Sequence, residues 1–444
     1  MLKNFMKYLI YAESRPRNVL IVALALFLLS IGYNSIRYEV ADQAYFGGDI
    51  WFYQSIAVNL ASGEGYRFGG VQDFSEYKFD MTPDPHREEG YKVRLKETFL
   101  ATDLHSFHGS PGYPVFLAGV YRVAGIHPIA AKYANILLVA LAAALIPVIS
   151  ARMWRYNGLA PGVFASLFFI FRHGPDPSYL LGEPLIMFLL AVWGVLFTYW
   201  EKNFSIVRIV VLALLTTVLI LVKTYPLLVL LTAAFIGLNH PSRRKGLALA
   251  ALYVGIVAGL ISPWSVYATR HSDRVVLVST QFDSLVLDGN NEDVISGGGY
   301  QPQWRNTGDP KYLYNRLAGS DMSSMQKVRQ FYRENWTQMP RMFANKIYSA
   351  TGRKVNVILI LLLFVAYYVV GLRRNRNLRR IGKVGDVYLP PFPFFCFAVM
   401  LTNTLVGFGL LRYTLIFLPF MLIPAAYAPL LFWEIRQERR NSPD

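Results

Sequence analysis

Apolar runs long enough, or nearly long enough, to cross a bilayer recur along this chain, and short basic segments separate them. That pattern leaves few choices of fold. Hydrocarbon offers no partner for backbone N–H and C=O groups, so a spanning segment must be a helix or a strand of a closed barrel. The runs are continuous rather than alternating, which selects helices. Of the 444 residues, 54% are hydrophobic and 16% charged, against about a quarter charged in a soluble domain. The expected fold is an all-α polytopic membrane protein. The formal net charge of +16 is spread over loops and includes no recognition module, so a nucleic-acid partner is set aside. The single cysteine, Cys396, has no second cysteine to pair with in the chain.

Loop charge orients the spans. Residues 1–33 comprise a basic cytoplasmic start and a first span over 19–33, read as a retained helix rather than a signal peptide. Residues 34–128 form a first outer loop. Its polar part, 34–110, holds twelve of the 28 acidic residues, and a juxtamembrane or re-entrant helix follows before residue 125. Spans are then expected over 129–150, 161–172, from 183, and over 209–222, 227–238 and 247–262. Residues 264–354 are a second large outer loop, helical around 324–347. Spans over 355–372 and 388–408 and a last one near 432 complete about ten, with a cytoplasmic tail at 433–444. Both termini then face the cytoplasm of a multi-pass inner-membrane protein.

This parity carries Asp49, His108, Glu183, Lys223, Arg270 and Arg412 to the outer face, each at or near a span boundary. A charge there is costly unless it has a partner or a task. Carboxylates and cations gathered on one face suit transfer from a phosphate-linked donor: the acid takes a proton and the cations hold the leaving phosphate. Plainer explanations exist for each. Asp49 suits a helix start, and behind it Phe52, Ile56 and Leu60 fall at helical spacing. Lys223 and Arg412 suit snorkelling anchors. Glu183, between Gly182 and Pro184, suits a helix N-terminus. Asp103, His105 and His108 have a generic metal-ligand spacing, and Asp288-Gly289-Asn290-Asn291 reads first as a turn. The chain contains no Gly-x-x-x-x-Gly-Lys-Ser/Thr cradle, no dinucleotide fingerprint and no Gly-x-Ser-x-Gly elbow.

The order of short motifs resembles the GT-C membrane glycosyltransferases, particularly the group containing lipid A aminoarabinose transferase and the protein O-mannosyltransferases. Gly48-Asp49-Ile50-Trp51-Phe52-Tyr53 with Gly63 and Gly65-Tyr66 is similar to the opening of their first outer loop. The run from His108 to Pro114 resembles an element ahead of their second span, and Leu181-Gly182-Glu183-Pro184-Leu185 an acid at the outer end of the fourth. Pro263-Trp264, Val276-Leu277-Val278-Ser279-Thr280 and Asp288-Gly289-Asn290-Asn291 follow in order, then Arg412-Tyr413 with Pro419. The chain departs in having Gly48 where many relatives carry a second acid, and Tyr267 then Arg270 where many carry an earlier arginine.

The resemblance implies an inverting transferase that moves one sugar from a polyprenyl monophosphate to a hydroxyl of a glycan, lipid or protein acceptor at the outer face, with membrane lipid around its tail. It implies Asp49 as general base and Glu183 as its helper. Lys223, Arg412 and Arg270, with His108 and Tyr413, would serve the donor phosphate. No cofactor or catalytic metal is expected. A transporter or flippase of a lipid-linked sugar and a surface-polysaccharide ligase or polymerase are the alternatives.

Overall fold

The computed structural model describes residues 16–38, 49–68, 107–154, 158–173, 176–177, 180–272, 274–297, 312–317, 320–380, 387–407 and 409–441. Gly47, Gly48, Asp103 and His105 lie outside them. Every long regular element among the described residues is helical. In chain order these are α1 (Pro16–Arg37), α2 (Asp49–Ser62), α3 (Gly112–Ala124), α4 (Pro128–Met153), α5 (Leu159–Phe168, running on as a π-helical turn over Phe169–His173), α6 (Glu183–Trp200), α7 (Ile206–Val222), α8 (Pro226–Asn239) and α9 (Arg243–Arg270). Then come α10 (Gln281–Gly289), α11 (Glu292–Ser296), α12 (Leu313–Arg316), α13 (Ser324–Glu334), α14 (Met339–Ala350), α15 (Val355–Arg380), α16 (Pro391–Val406) and α17 (Leu411–Asn441).

Six of these, α1, α4, α6, α9, α15 and α17, are long and apolar enough to cross a membrane, and four shorter apolar helices accompany them: α5, α7, α8 and α16. The ten coincide with the ten runs read from the sequence. The chain is an all-helical, polytopic membrane protein. Local signals set the boundaries. Pro184 and Pro226 occupy first turns, where a missing N–H costs nothing, and Ser205 caps α7 by accepting from the Arg208 N–H. The 324–347 stretch is helical as expected, but a 3-10 turn at Trp336–Gln338 divides it into α13 and α14.

The chain forms two compact units. One takes in Met1–Leu24, Ala144–His173 and Phe282–Asp444; the other, Ala25–Ala143 and Gly174–Gln281. In the first, α17 packs against α5, α15 and α16. Gly158 and Gly162 let α5 lie against the end of α4: a β-carbon on Gly162 would sit 2.6 Å from the Pro147 α-carbon, and small residues permit this kind of close approach. Outside the spans, α10 to α14 enclose an apolar core of Val286, Val294, Ile295, Leu313, Val328, Phe331 and Met342. In the second unit, α7 packs with α6, α9 and α3, and α2 lies along α3.

Beside the core that α10 to α14 enclose lies a fully buried lysine. The Lys346 amine donates to Asn290 Oδ1 at 2.6 Å and to the Leu405 carbonyl at 2.7 Å. Burial pushes its pKa from 10.5 down to about 7. Unfolding restores an ordinary lysine, so between these two values the unfolded chain binds more protons than the folded one. Stability from this site therefore rises with pH across that interval. Thermal unfolding of the wild type and Lys346→Met, followed from pH 7 to 10, is expected to show the wild type gaining on the variant as pH rises. Parallel curves would refute it.

Candidate functional site

Asp49 stands in the first turn of α2, where the helix dipole favours an acid. Phe52 and Ile56 of the same helix are buried and Leu60 partly so, as the spacing requires, in an apolar cluster with Tyr66, Phe107, Ala268 and Val276. The helix ends in a left-handed turn, with φ of +88° at Gly63 and +87° at Gly65. These are angles that glycine adopts without strain. That reversal returns Tyr66 to the cluster, with its ring 4.8 Å from that of Trp264. Arg122, which interrupts the apolar run of α3, donates to the Leu60 carbonyl at 2.8 Å.

The segment from Phe107 to Pro114 lies across α2. A β-carbon on Gly109 would fall 2.5 Å from the Phe52 ring and 3.2 Å from that of Tyr53, so only glycine lets this backbone lie flat on the rings. Gly112 does the same against the end of α7, where a β-carbon would stand 2.7 Å from the Val222 nitrogen. These two glycines set His108 beside Asp49 and bring the segment against the residue that precedes Lys223. His108 is exposed, and its ring centroid is 6.2 Å from that of Phe52. Protein packed around the imidazole holds its pKa below the ordinary value; the Asp49 carboxylate pulls it up and Arg274 pushes it down.

Glu183 is buried at the first position of α6. Its charge is felt at Tyr113, whose hydroxyl is pushed well above its usual pKa by burial first, with the Glu183 carboxylate adding to the effect. Tyr113 donates to Asn135 Oδ1 at 3.3 Å and stacks edge-on with Tyr53, centroids 5.3 Å apart. Asn135 Nδ2 in turn donates to the Pro177 carbonyl at 3.3 Å, tying the approach to α6 to the same network. His108, Phe52, Tyr53 and Tyr113 thus form a row linked ring to ring, with the charges of Asp49 and Glu183 acting at its two ends. Lys223, half-buried, ends α7 next to it.

Arg270 does not join this group. It closes α9 with an exposed side chain. The chain instead returns along α9: the Trp264 indole donates to the Val278 carbonyl at 2.8 Å, and the Thr280 N–H to the Phe107 carbonyl at 2.7 Å. That return carries Arg274 into the field of His108. Arg274, beyond the exposed end of α9, is the arginine whose charge reaches His108. Sequence reading also passed over Asn135, although an amide within an apolar span is itself a signal.

Arg412 and Tyr413 belong to the first unit and make a pair of their own. The half-buried guanidinium donates to the Tyr413 hydroxyl at 3.0 Å and lies 4.9 Å from the ring centroid. Asn290 and Asn291 are more than a turn. Asn291 caps α11 by accepting from the Asp293 and Val294 N–H groups, and both residues are fully buried. Among the described residues no group of three or more His, Cys, Asp or Glu side chains could hold a metal.

No protein-family model matches the chain, and no curated protein matches it. A solved structure does. The chain is similar to ArnT from Cupriavidus metallidurans, in a crystal structure bound to undecaprenyl phosphate, with a TM-score of 0.39 and 14% identity over 94% of this chain and 78% of that one. Backbones that superpose this loosely do not carry residues across, so the assignments that follow rest on this chain's own geometry.

The electrostatic link between Asp49 and His108 has a measurable sign. Asp49→Asn removes a charge that favours the imidazolium, so the His108 pKa falls further. Carbethoxylation of His108 by diethyl pyrocarbonate, which modifies the neutral ring, is expected to reach its midpoint at lower pH in Asp49→Asn by peptide mass mapping. An unmoved midpoint would mean the two groups are not neighbours.

Proposed function

We propose that this protein is an inverting glycosyltransferase that moves one sugar from a polyprenyl monophosphate to an acceptor hydroxyl at the outer face of the inner membrane. The observation that carries this reading is Asp49 at the start of α2, facing a neutral-leaning His108 and backed by the buried Tyr113–Glu183 pair. Asp49 accepts the proton of the acceptor hydroxyl as its oxygen attacks the anomeric carbon. The bond from that carbon to the phosphate oxygen breaks, and its electron pair leaves with the lipid phosphate. One displacement inverts the centre. Glu183 orients the acceptor through Tyr113. Positive charge for the leaving phosphate is assigned to Lys223, Arg412 and Arg270, and the Arg274 charge acts on His108. The aromatic side chains of α2 and the end of α9 form an apolar wall for the sugar's ring face.

Asp49→Asn, expressed in the native host and purified into lipid nanodiscs, is expected to retain its unfolding temperature while transfer falls by about 10²-fold or more. Mass spectrometry of envelope lipids and glycans checks it: one sugar residue is expected to disappear from one class of molecule in Asp49→Asn cells. Unchanged glycans would remove Asp49 from the mechanism. Movement of an intact lipid-linked sugar across vesicles without a covalent product would replace the reading with transport.

A further inference from the structure

The four last carbonyls of a helix lack partners within it, and the end of α16 meets this need in an uncommon way. Its Leu405 carbonyl accepts from the Lys346 amine at 2.7 Å, and its Val406 carbonyl from Asn290 Nδ2 at 2.8 Å. The two capping groups are joined, Lys346 Nζ to Asn290 Oδ1 at 2.6 Å, and the Tyr332 hydroxyl donates to that same oxygen at 2.7 Å. The Tyr314 hydroxyl donates to the Asn290 backbone carbonyl. Lys346 and Asn290 are fully buried, so each unmade bond would leave a desolvated polar group. A lysine is an expensive choice for this position, since an apolar residue would fill the space without bringing a charge.

What the cap holds lies just beyond it. After α16 the chain passes Gly407, Gly409 and Leu410 and enters α17, whose second residue is Arg412. Gly409 lies so close to α14 that a β-carbon would fall 2.0 Å from the Lys346 carbonyl oxygen. Past the far end of α14, Gly352, at φ +60°, makes room for Leu411, whose side chain a β-carbon there would meet at 2.6 Å. The helix that carries Lys346 therefore touches the chain on the approach to Arg412 through side chain and backbone together.

We propose that Lys346, locked to Asn290, is a positioning residue for Arg412: it fixes the end of α16 and so the direction from which the guanidinium leaves α17 toward a lipid phosphate. The proposal rests on the reading of Arg412 as a phosphate ligand. A cation free to swing would lose ordering entropy each time it bound, whereas one held by its backbone and by Tyr413 has lost it in folding. The lowered pKa of Lys346 agrees with a group whose work is hydrogen bonding within protein rather than contact with an anion.

The test uses the full chain in nanodiscs and undecaprenyl monophosphate as probe, with binding read by native mass spectrometry and the backbone by hydrogen exchange over residues 405–412. Lys346→Met is expected to weaken binding by about tenfold and to speed exchange over 405–412. The same change is expected to add no further loss when combined with Arg412→Ala. Gly409→Ala, which disturbs the same turn without touching the amine, is read by the same criteria should Lys346→Met not be recovered folded. Wild-type binding in folded Lys346→Met, or losses that multiply in the double variant, would overturn the proposal while leaving the phosphate reading intact. Wild-type binding in Arg412→Ala would overturn the phosphate reading itself, and the positioning role with it.

Discussion

A carboxylate and an imidazole near the end of an apolar bundle stay together only if the backbone carrying them can approach its neighbours closely. Here that approach rests on two glycines. Gly109 lies on the rings of Phe52 and Tyr53, and Gly112 on the backbone at the end of α7, with no room for a β-carbon at either. Through them one short segment touches α2 and the last turn of α7 before leading into α3. Most of what surrounds Asp49 follows. His108 comes beside it, Tyr113 reaches the start of α6, and the Phe107 carbonyl is left to accept the Thr280 N–H and so anchor the return from α9. The aromatic cluster behind the segment supplies the burial that holds it down, and the row of polar groups is the edge of that cluster.

The first unit solves a different problem with polar rather than apolar means. The end of α16 is enclosed by α14 and the Asn290 turn, where water cannot satisfy its carbonyls, and two side chains from distant parts of the sequence do so instead. Such a network is costly if any member is missing and specific when all are present. It defines one course for the chain between α16 and α17, which an apolar filling of the same space would leave looser.

The ten apolar helices were legible in the sequence because hydropathy is a property of each segment by itself, and so were the faces of α2, since Phe52 and Ile56 need only helical spacing to turn inward together. Glu183 was legible as a helix-start acid because Gly182 and Pro184 flank it. The rest depends on residues far apart in sequence. Lys346 sits in an amphipathic helix outside the spans, among other basic residues, and looks solvated; its burial is decided by Asn290 and Leu405, each more than fifty positions away. The place of Arg274 was hidden for a similar reason: how Val276 to Thr280 fold back past the end of α9 is settled by hydrogen bonds to Thr269, Trp264 and Phe107.

The protonation state of His108 bears on what Asp49 can do. A fully charged imidazolium beside a carboxylate would pair with it, and the oxygen meant to receive a proton would already be occupied. Attraction between the two groups pushes toward that outcome. The protein packed on one side of the ring and the Arg274 charge act against it, and the net displacement of the His108 pKa is downward. The downward displacement favours the neutral ring, which can donate one hydrogen bond and accept another. In the mechanism proposed above, Arg274 would act at a distance from the phosphate: by disfavouring the imidazolium it would leave Asp49 open to the incoming hydroxyl.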